Sequence, residues 1–542
     1  MSVFVNRNDE LERIQKAFST LLSQDNLPDT RIIDFYGVEG IGKTSILQQV
    51  EQKCYEYSVP FIKTNANQPP TRLLEEIIQK ANEQQTGTYD AHLFSQDEDK
   101  DLNERTIDAV RNLQSLLHGR PLVILLDAVD ANDESQVTLL EAILDDVIAK
   151  SSGKLFVVLT SRRSIAFEHR YSVARRLEQV ALLPLDKAGS QQYIDSQGYP
   201  MTPEEREMIY EWTRGYLLAI KVMIDAITQE GIKPSTEQGK QVLLTKLVER
   251  VIDHTILAQV EVSERDWFHR VLSLLSVPRR FNLIIMQNLI EHFEPELKLA
   301  DSLAYIVLPK RIFQATGVMD WDSGKAGFAI DAPIRNIFLL QLRMQKPEQY
   351  FTINSFLADI NRRTALKVSG TDRARYLLEY IYHSVHSADM SLDQLSKLLQ
   401  DVVQYIVQEV ETSPENVIQF QKNFEQDDEL KELLGRHSDS FLAPLYREIS
   451  QRMYNNALSE EEEEKRLRYF QAFFDYTLLN PGTKDLRNVL EENLGRLIEN
   501  ERPDLIKRFY ARLEKDKLFK ETLGADLLFL KKRIDEKVSD ER

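Results

Sequence analysis

Eight residues, Gly37-Val-Glu-Gly-Ile-Gly-Lys43-Thr44, restrict what this chain can fold into more than any other stretch. They fit a glycine, four free positions, then Gly-Lys-[Ser/Thr]. Such glycines let the backbone turn without a Cβ clash and bring its N–H groups close to phosphate oxygens. Lys43 is expected to reach the β- and γ-phosphates, and the Thr44 hydroxyl to sit on Mg²⁺. The flanks come in the order this chemistry needs. Arg31 to Tyr36 is a short β-rich run that predicts a buried strand. Thr44 to Tyr55 predicts a helix with Ile46, Leu47, Val50 and Cys54 on one face. A helix N-terminus at that place favours an anion. Gly37, Gly40, Gly42, Lys43, Thr44 and Ser45 are therefore candidate nucleotide contacts.

The surrounding chain alternates strand and helix as far as about residue 180. Val59 to Thr64, Lys154 to Thr160 and Leu177 to Leu183 predict strands. Pro121 to Asp127 is a near-continuous apolar run, as in a strand buried on both faces of a parallel sheet. Thr71 to Glu83 predicts a helix buried on Leu73, Leu74, Ile77 and Ile78, and Ser135 to Ala149 another. Polar residues 84–104 read as a loop or insertion. The alternation predicts a doubly wound, parallel α/β P-loop NTPase domain over residues 1–184, with ligands at the carboxyl ends of its strands.

Beyond Leu185 helices dominate, and residues 185–260 read as a helical lid. Ala188 to Ser196, Pro203 to Thr213, Leu217 to Thr228 and residues 240–260 predict its helices. Residues 261–345 combine helices (Trp267 to Ser276, Leu283 to His292) with β-like runs. Those runs are Ala304 to Leu308, Ile312 to Val318 and Gly327 to Ile330, followed by a helix from Ile334. Helices followed by a small hairpin outline a winged helix. Residues 350–542 read as an all-α sensor or partner-binding domain. Leu392, Leu395, Leu398, Leu399, Val402, Val403, Ile406 and Val407 recur at helical steps, as do Leu486, Val489, Leu490, Leu494, Leu497 and Ile498, with a turn at Asn480-Pro-Gly-Thr between helices. In the acidic run Glu460 to Glu464, Ser459 is expected to cap a helix with Glu462 at the capping-box position.

Composition narrows the function classes. The formal net charge of −18 argues against a broad nucleic-acid surface, which needs a basic footprint. No apolar run reaches the roughly 18–20 residues of a membrane span, and the N-terminus lacks the pattern of a secretory signal. One cysteine, Cys54, allows no intrachain disulfide, and a cytoplasmic location is expected. His383 and His386 stand three apart without a recognisable zinc pattern.

Asp127 closes the apolar strand where a Mg²⁺-holding carboxylate belongs, opposite Thr44. Thr160-Ser161-Arg162 ends the next strand, from which Arg162 could approach a γ-phosphate. Candidate catalytic residues are Lys43, Asp127 and Asp130; candidate metal ligands are Thr44 and Asp127.

Phe4-Val-Asn-Arg7-Asn-Asp-Glu10-Leu11 resembles the lead-in of signal-transducing STAND ATPases and their AAA+ relatives. There the segment folds over the adenine, so the resemblance implicates Phe4, Val5 and Arg7 in nucleotide binding. Thr160-Ser161-Arg162 is similar to their Thr-Thr-Arg sensor. Gly215-Tyr-Leu-Leu218-Ala219 resembles the Gly-Leu-Pro-Leu-Ala helix start of the NB-ARC subgroup, with Leu217 in place of the proline that packs on adenine. Phe328-Ala-Ile-Asp331 falls where that subgroup carries Met-His-Asp, with Ile330 replacing the histidine. The resemblance covers about residues 3–345, and no effector domain is expected before Phe4.

The family's second acid, directly after the first, is replaced here by Ala128, in Asp127-Ala128-Val129-Asp130. Loss of a general base typically costs about 10²–10⁴ in rate. The resemblance thus implies a switch that binds ATP or ADP with Mg²⁺ and hydrolyses ATP slowly or not at all. It implies a protein partner or effector supplied in trans, leaves homo-oligomers open, and points away from nucleic acid and membrane. Two alternatives stay open: a nucleic-acid-handling AAA+ ATPase of the origin-recognition type, and an ATP-stabilised scaffold that does not switch.

Overall fold

The computed structural model describes residues 7–23, 30–86, 102–117, 120–131, 133–150, 154–322, 326–388, 390–410, 414–435 and 437–478, with isolated positions between 507 and 539. The chain divides into two compact units, Met1–Pro347 and Glu348–Arg542.

The first unit begins with α1 (Asn8–Leu21), β1 (Thr30–Tyr36), α2 (Lys43–Glu56), β2 (Phe61–Asn65), α3 (Pro70–Thr86) and α4 (Leu102–Leu117). It continues with β3 (Leu122–Val129), α5 (Glu134–Lys150), β4 (Leu155–Ser161), α6 (Tyr171–Ala174) and β5 (Leu177–Ala181). The five strands form one parallel sheet in the order β2-β3-β4-β1-β5. Successive residues of a strand face opposite sides, and both sides are covered. Ile32, Ile124, Leu126, Val157 and Leu159 join a core with Leu73, Leu74, Leu113 and Leu140 of α3, α4 and α5. On the other side, Phe18 of α1 meets Phe156 of β4 edge to face, with ring centroids 5.7 Å apart. The expected buried face of α2 holds: Ile46, Leu47, Val50 and Cys54 are all buried. The doubly wound α/β expectation is therefore met. The polar stretch 84–104 is not all loop, because α3 runs on through Thr86 and α4 starts at Leu102.

Then follow α7 (Lys187–Ser196), α8 (Pro203–Thr213), α9 (Leu217–Thr228) and α10 (Glu237–Leu247). Where one helix over 240–260 was expected, α10 passes into a π-helix at Val248–Ile256. Next come α11 (Arg265–Leu275), α12 (Leu283–Phe293), α13 (Ser302–Thr316), β6 (Met319–Asp322), β7 (Gly327–Ile330) and α14 (Ala332–Gln345). The β-like runs at Ala304 to Leu308 and Ile312 to Val318 are corrected: through Thr316 they belong to α13. The Asp301 side chain accepts from the Ala304 N–H and starts the helix, and Gly317 caps its end. Tyr305, Leu308, Pro309, Ile312 and Thr316 form its buried stripe at helical spacing, while the β-branched Ile306 and Val307 point outward. β6 and β7 pair antiparallel, and Phe281 bridges to Phe328. Three helices and a hairpin give the winged-helix outline.

The second unit is helical through its described residues. Its helices are α15 (Pro347–Ala365), α16 (Gly370–His386), α17 (Leu392–Val410), α18 (Pro414–Glu425), α19 (Asp428–Leu434), α20 (His437–Ser459) and α21 (Glu463–Leu478). Leu399, Val402, Val403 and Ile406 of α17 enter its core with Phe420, Phe424, Met453 and Phe470. The expected Ser459 cap is corrected. Ser459 ends α20, its hydroxyl donating to the Asn455 and Asn456 carbonyls, so it is turned away from the next helix. The Glu460 carboxylate accepts from the Glu462 N–H instead, and α21 starts at Glu463. The periodic run Leu486 to Ile498 and the turn at Asn480 lie outside the described residues.

Candidate nucleotide site

The sheet order decides which side chains meet. β4 lies between β1, which leads into the glycine loop, and β3, which carries Asp127 near its carboxyl end. Thr160 of β4 therefore reaches sideways and donates its hydroxyl to Asp127 Oδ1 at 2.5 Å, while accepting from the Ala128 N–H at 3.0 Å. The other carboxylate oxygen, Oδ2, accepts from the Thr44 hydroxyl at 3.3 Å. Thr44 and Asp127, the two expected metal ligands, are thus side by side. On the opposite edge of β4 the Ser161 hydroxyl donates to Asp34 of β1 at 2.7 Å, and the Ile165 N–H donates to the same carboxylate at 2.8 Å. Asp34 is fully buried, and burial raises its pKa to about 6 against these hydrogen bonds.

The glycine loop is closely covered by the start of α9. A Cβ on Gly40 would come within 2.6 Å of Leu218 Cβ, and one on Gly42 within 2.9 Å of Leu217 Cδ1. Leu217 therefore lies over Gly42. The Tyr216 hydroxyl, fully buried, donates to the Glu39 carbonyl and ties the lid helix to the loop. Arg7 is buried beside the loop and donates to the Ile41 carbonyl and to Glu10, each at 3.2 Å. Phe4 and Val5 lie outside the described residues.

Lys43 donates to the carbonyls of Gly37 at 2.7 Å and Val38 at 3.1 Å. Burial brings its pKa down to about 8, opposed most strongly by the Glu39 carboxylate. Bound phosphates would stabilise the ammonium and restore a higher pKa. Nucleotide affinity should therefore be full below pH 8 and fall as the pH rises through it, by up to about tenfold per pH unit. Calorimetry at pH 8.5 in buffers of different ionisation enthalpy should show proton uptake on binding; proton release or none would contradict this.

Arg7, Lys43, Thr44, Asp127, Asp130 and Arg162 line one cavity of about 600 Å³. That size suits a nucleotide-scale ligand. The strand-end geometry accounts for Asp130. Between Leu126 and Val129 the β3–β4 register slips, and Ala128 takes φ +57°. A bulge inserts one residue and reverses the alternation beyond it. Val129 is accordingly buried in the core, while Asp130 lines the cavity with Asp127. Gln136 holds this corner, accepting from the Asp130 N–H at 2.9 Å and donating to the Ala66 carbonyl.

Arg162 pairs with Glu39 of the glycine loop, N to O 2.5 Å. Arg163, its neighbour, turns to the winged-helix region. It donates to the Asp331 carboxylate at 3.3 Å and 3.4 Å and to the Gly317 carbonyl at 3.0 Å, and stacks on the Phe313 ring at 5.5 Å. Burial raises the Asp331 pKa to about 6, with Arg163 opposing the rise. Ile330, at the histidine position, is buried. Sequence reasoning missed Asp34, Glu39, Arg163, Tyr216 and the role of Thr160. Only Arg163 carried a signal, as the second arginine of a strand-end pair.

Among the described residues no group of three or more His, Cys, Asp or Glu could hold a metal ion by itself. The Thr44 hydroxyl, the Asp127 carboxylate and a glycine loop ending on a helix N-terminus nonetheless fit a Mg²⁺–nucleotide donor set, in which the phosphates supply further oxygens. No described helix is long and apolar enough to cross a membrane.

Residues 3–158 match the family described as AAA ATPase domain. The chain is 26% identical over 218 residues to the Disease resistance protein RPS4 of Arabidopsis thaliana, covering 39% of this chain and 16% of that protein, so it spans only a small part of its relative. Among solved structures it is similar to the STAND protein PH0952 of Pyrococcus horikoshii, which has a tetratricopeptide repeat sensor (TM-score 0.31, 14% identity, 100% of this chain and 81% of that one). It is also similar to the Aeropyrum pernix ORC1 protein in complex with DNA (TM-score 0.36, 15% identity, 62% of this chain and 93% of that one). With the sheet order and the phosphate loop already in place, the domain match gives the conclusion: residues 3–158 of this chain form a P-loop domain that matches the AAA ATPase family.

Proposed function

We propose that the protein is a nucleotide-dependent switch that binds ATP or ADP with Mg²⁺, turns ATP over slowly, and passes its nucleotide state to a protein partner. The observation that carries this reading is the Arg163 latch. One residue of the nucleotide-facing strand end holds Asp331 and Gly317 of the winged-helix region beside the phosphate loop. A ligand moves such an arrangement only through its differential affinity for the two states, and Arg162–Arg163 offers the point where a third phosphate could be felt. On this reading residues 1–184 form the nucleotide domain, 185–260 the lid, 261–345 the winged helix and 350–542 the part that meets the partner.

Each residue has a chemical task. The loop N–H groups and Lys43 would hold the phosphates, Thr44 and Asp127 would hold the metal, and Thr160 would keep the Asp127 carboxylate turned toward it. Bound Mg²⁺ would neutralise phosphate charge and orient the terminal phosphate. Ala128 has no group to draw a proton from water. Asp130, brought to the cavity wall by the bulge, is the acid left to orient that water, at the start of a turn just past the strand rather than on it. Slow turnover follows from that arrangement.

The apolar face of α13 favours a protein over nucleic acid as the partner. Leu303, Ile306 and Val307 are 70%, 58% and 59% exposed where phosphate contacts would need cations. Small-angle scattering of the full chain with ADP and with a non-hydrolysable ATP analogue tests the switch. Different profiles are expected, and Arg163→Gln should reduce the difference. Identical profiles with both nucleotides bound would leave a scaffold that nucleotide merely stabilises. Turnover of about 1 s⁻¹ or faster, the range of working kinases, would remove the slow-hydrolysis part.

A further inference from the structure

The glycine loop carries a charge that phosphate binding does not ask for. Glu39 stands between Gly37 and Gly40, its carbonyl is fixed by the Tyr216 hydroxyl, and its carboxylate pairs with Arg162 at 2.5 Å. Both side chains line the nucleotide cavity, and both are partly exposed, 45% for Glu39 and 36% for Arg162. Of the charges acting on Lys43, Glu39 is the strongest favourable one. A carboxylate therefore lies in contact with one cation of the phosphate site and close to the other.

We propose that Glu39 stands in for a γ-phosphate: it occupies Arg162 when no third phosphate is present, and so biases the site toward ADP over ATP. The proposal rests on the reading of this cavity as an ATP/ADP site and names the residue that sets its discrimination. ADP leaves the Glu39–Arg162 pair intact. ATP brings a doubly charged group to the same end of the loop, where it competes for Arg162 and is repelled by the carboxylate it displaces. The cost is modest, because a half-exposed pair is screened by solvent. Displacing Arg162 also moves the peptide that carries Arg163, so exchange of Glu39 for phosphate disturbs the latch on Asp331 and Gly317. One carboxylate would thus link discrimination to switching.

Calorimetric Kd values for Mg²⁺-ADP and for a Mg²⁺-bound non-hydrolysable ATP analogue test this in the full chain. The comparison needs wild type, Glu39→Gln, Arg162→Gln and the double variant. The ratio of ADP Kd to analogue Kd should rise between about threefold and tenfold in Glu39→Gln, as expected for removing one screened charge. In the double variant the rise should be smaller, because nothing remains to compete for. A ratio within twofold of wild type in Glu39→Gln, or one that falls, overturns the proposal while leaving the nucleotide site intact. Failure of the wild type to bind either nucleotide overturns both. An ADP-dependent thermal shift shows that each variant is folded, and Glu39→Ala supplies an independent test of the same ratio.

Discussion

Lys43→Ala should weaken binding of both ADP and ATP by at least about a hundredfold, with little change in the stability of the free protein. The ammonium is half-buried at the floor of the loop and already has its hydrogens directed at the carbonyls of Gly37 and Val38. It is thereby held where phosphate oxygens would arrive. Charge-assisted hydrogen bonds contribute roughly 1.5–3 kcal/mol each, and one or two of them correspond to two orders of magnitude in Kd. Removing a desolvated cation costs the free protein little, because burial already disfavours its charged form. Calorimetry and thermal unfolding without ligand provide the two measurements. Retention of nucleotide affinity within threefold would mean that the loop is only a turn joining β1 to α2.

Gly215→Ala carries the largest expected effect on stability. Gly215 takes φ +79°, and a Cβ there would lie 1.8 Å from the Leu185 carbonyl oxygen. That approach is fixed by backbone, since the Leu185 N–H donates to the Gly215 carbonyl at 2.9 Å. A side chain pays about 1–2 kcal/mol for the left-handed conformation alone. Moving two backbone segments apart should bring the total to about 3–5 kcal/mol, in the range reserved for strained or overpacked sites. The shift would also carry Leu217 and Leu218 away from the glycine loop and so weaken nucleotide binding. Gly198→Ala is the control: φ is +74°, but nothing lies within 4 Å of the added carbon. Denaturant unfolding of the two variants should separate strain from collision. Equal losses would show that the Leu185 contact yields without cost.

What could be read from the chain was what is local or periodic. The apolar run into Asp127 announced a buried strand ending in an acid, and the spacing of Ile46, Leu47, Val50 and Cys54 announced the covered face of α2. α13 was misread in part because Ile306 and Val307 are β-branched, a strand signal, yet they point to solvent while Tyr305, Leu308 and Ile312 set the helical period. The contacts that make the site work were not legible. Thr160 meets Asp127 only because β3 and β4 are neighbours, and strand order is not written in either strand. Arg163 and Asp331 are 168 positions apart, and nothing local pairs them. Asp130 faces the cavity because of a slip in register, which the letters Asp-Ala-Val-Asp do not disclose.

The end of β4 places four successive side chains on four different parts of the molecule. Thr160 goes to Asp127, Ser161 to Asp34, Arg162 to Glu39 and Arg163 to Asp331. Their energies cannot be partitioned, because each anchors the backbone from which the next one reaches. What this tetrapeptide conserves physically is a phase. Lengthening or shortening the strand by a single residue would keep every chemical group and exchange every correspondent. The protein could then retain its fold and its phosphate loop and still lose the relation between them.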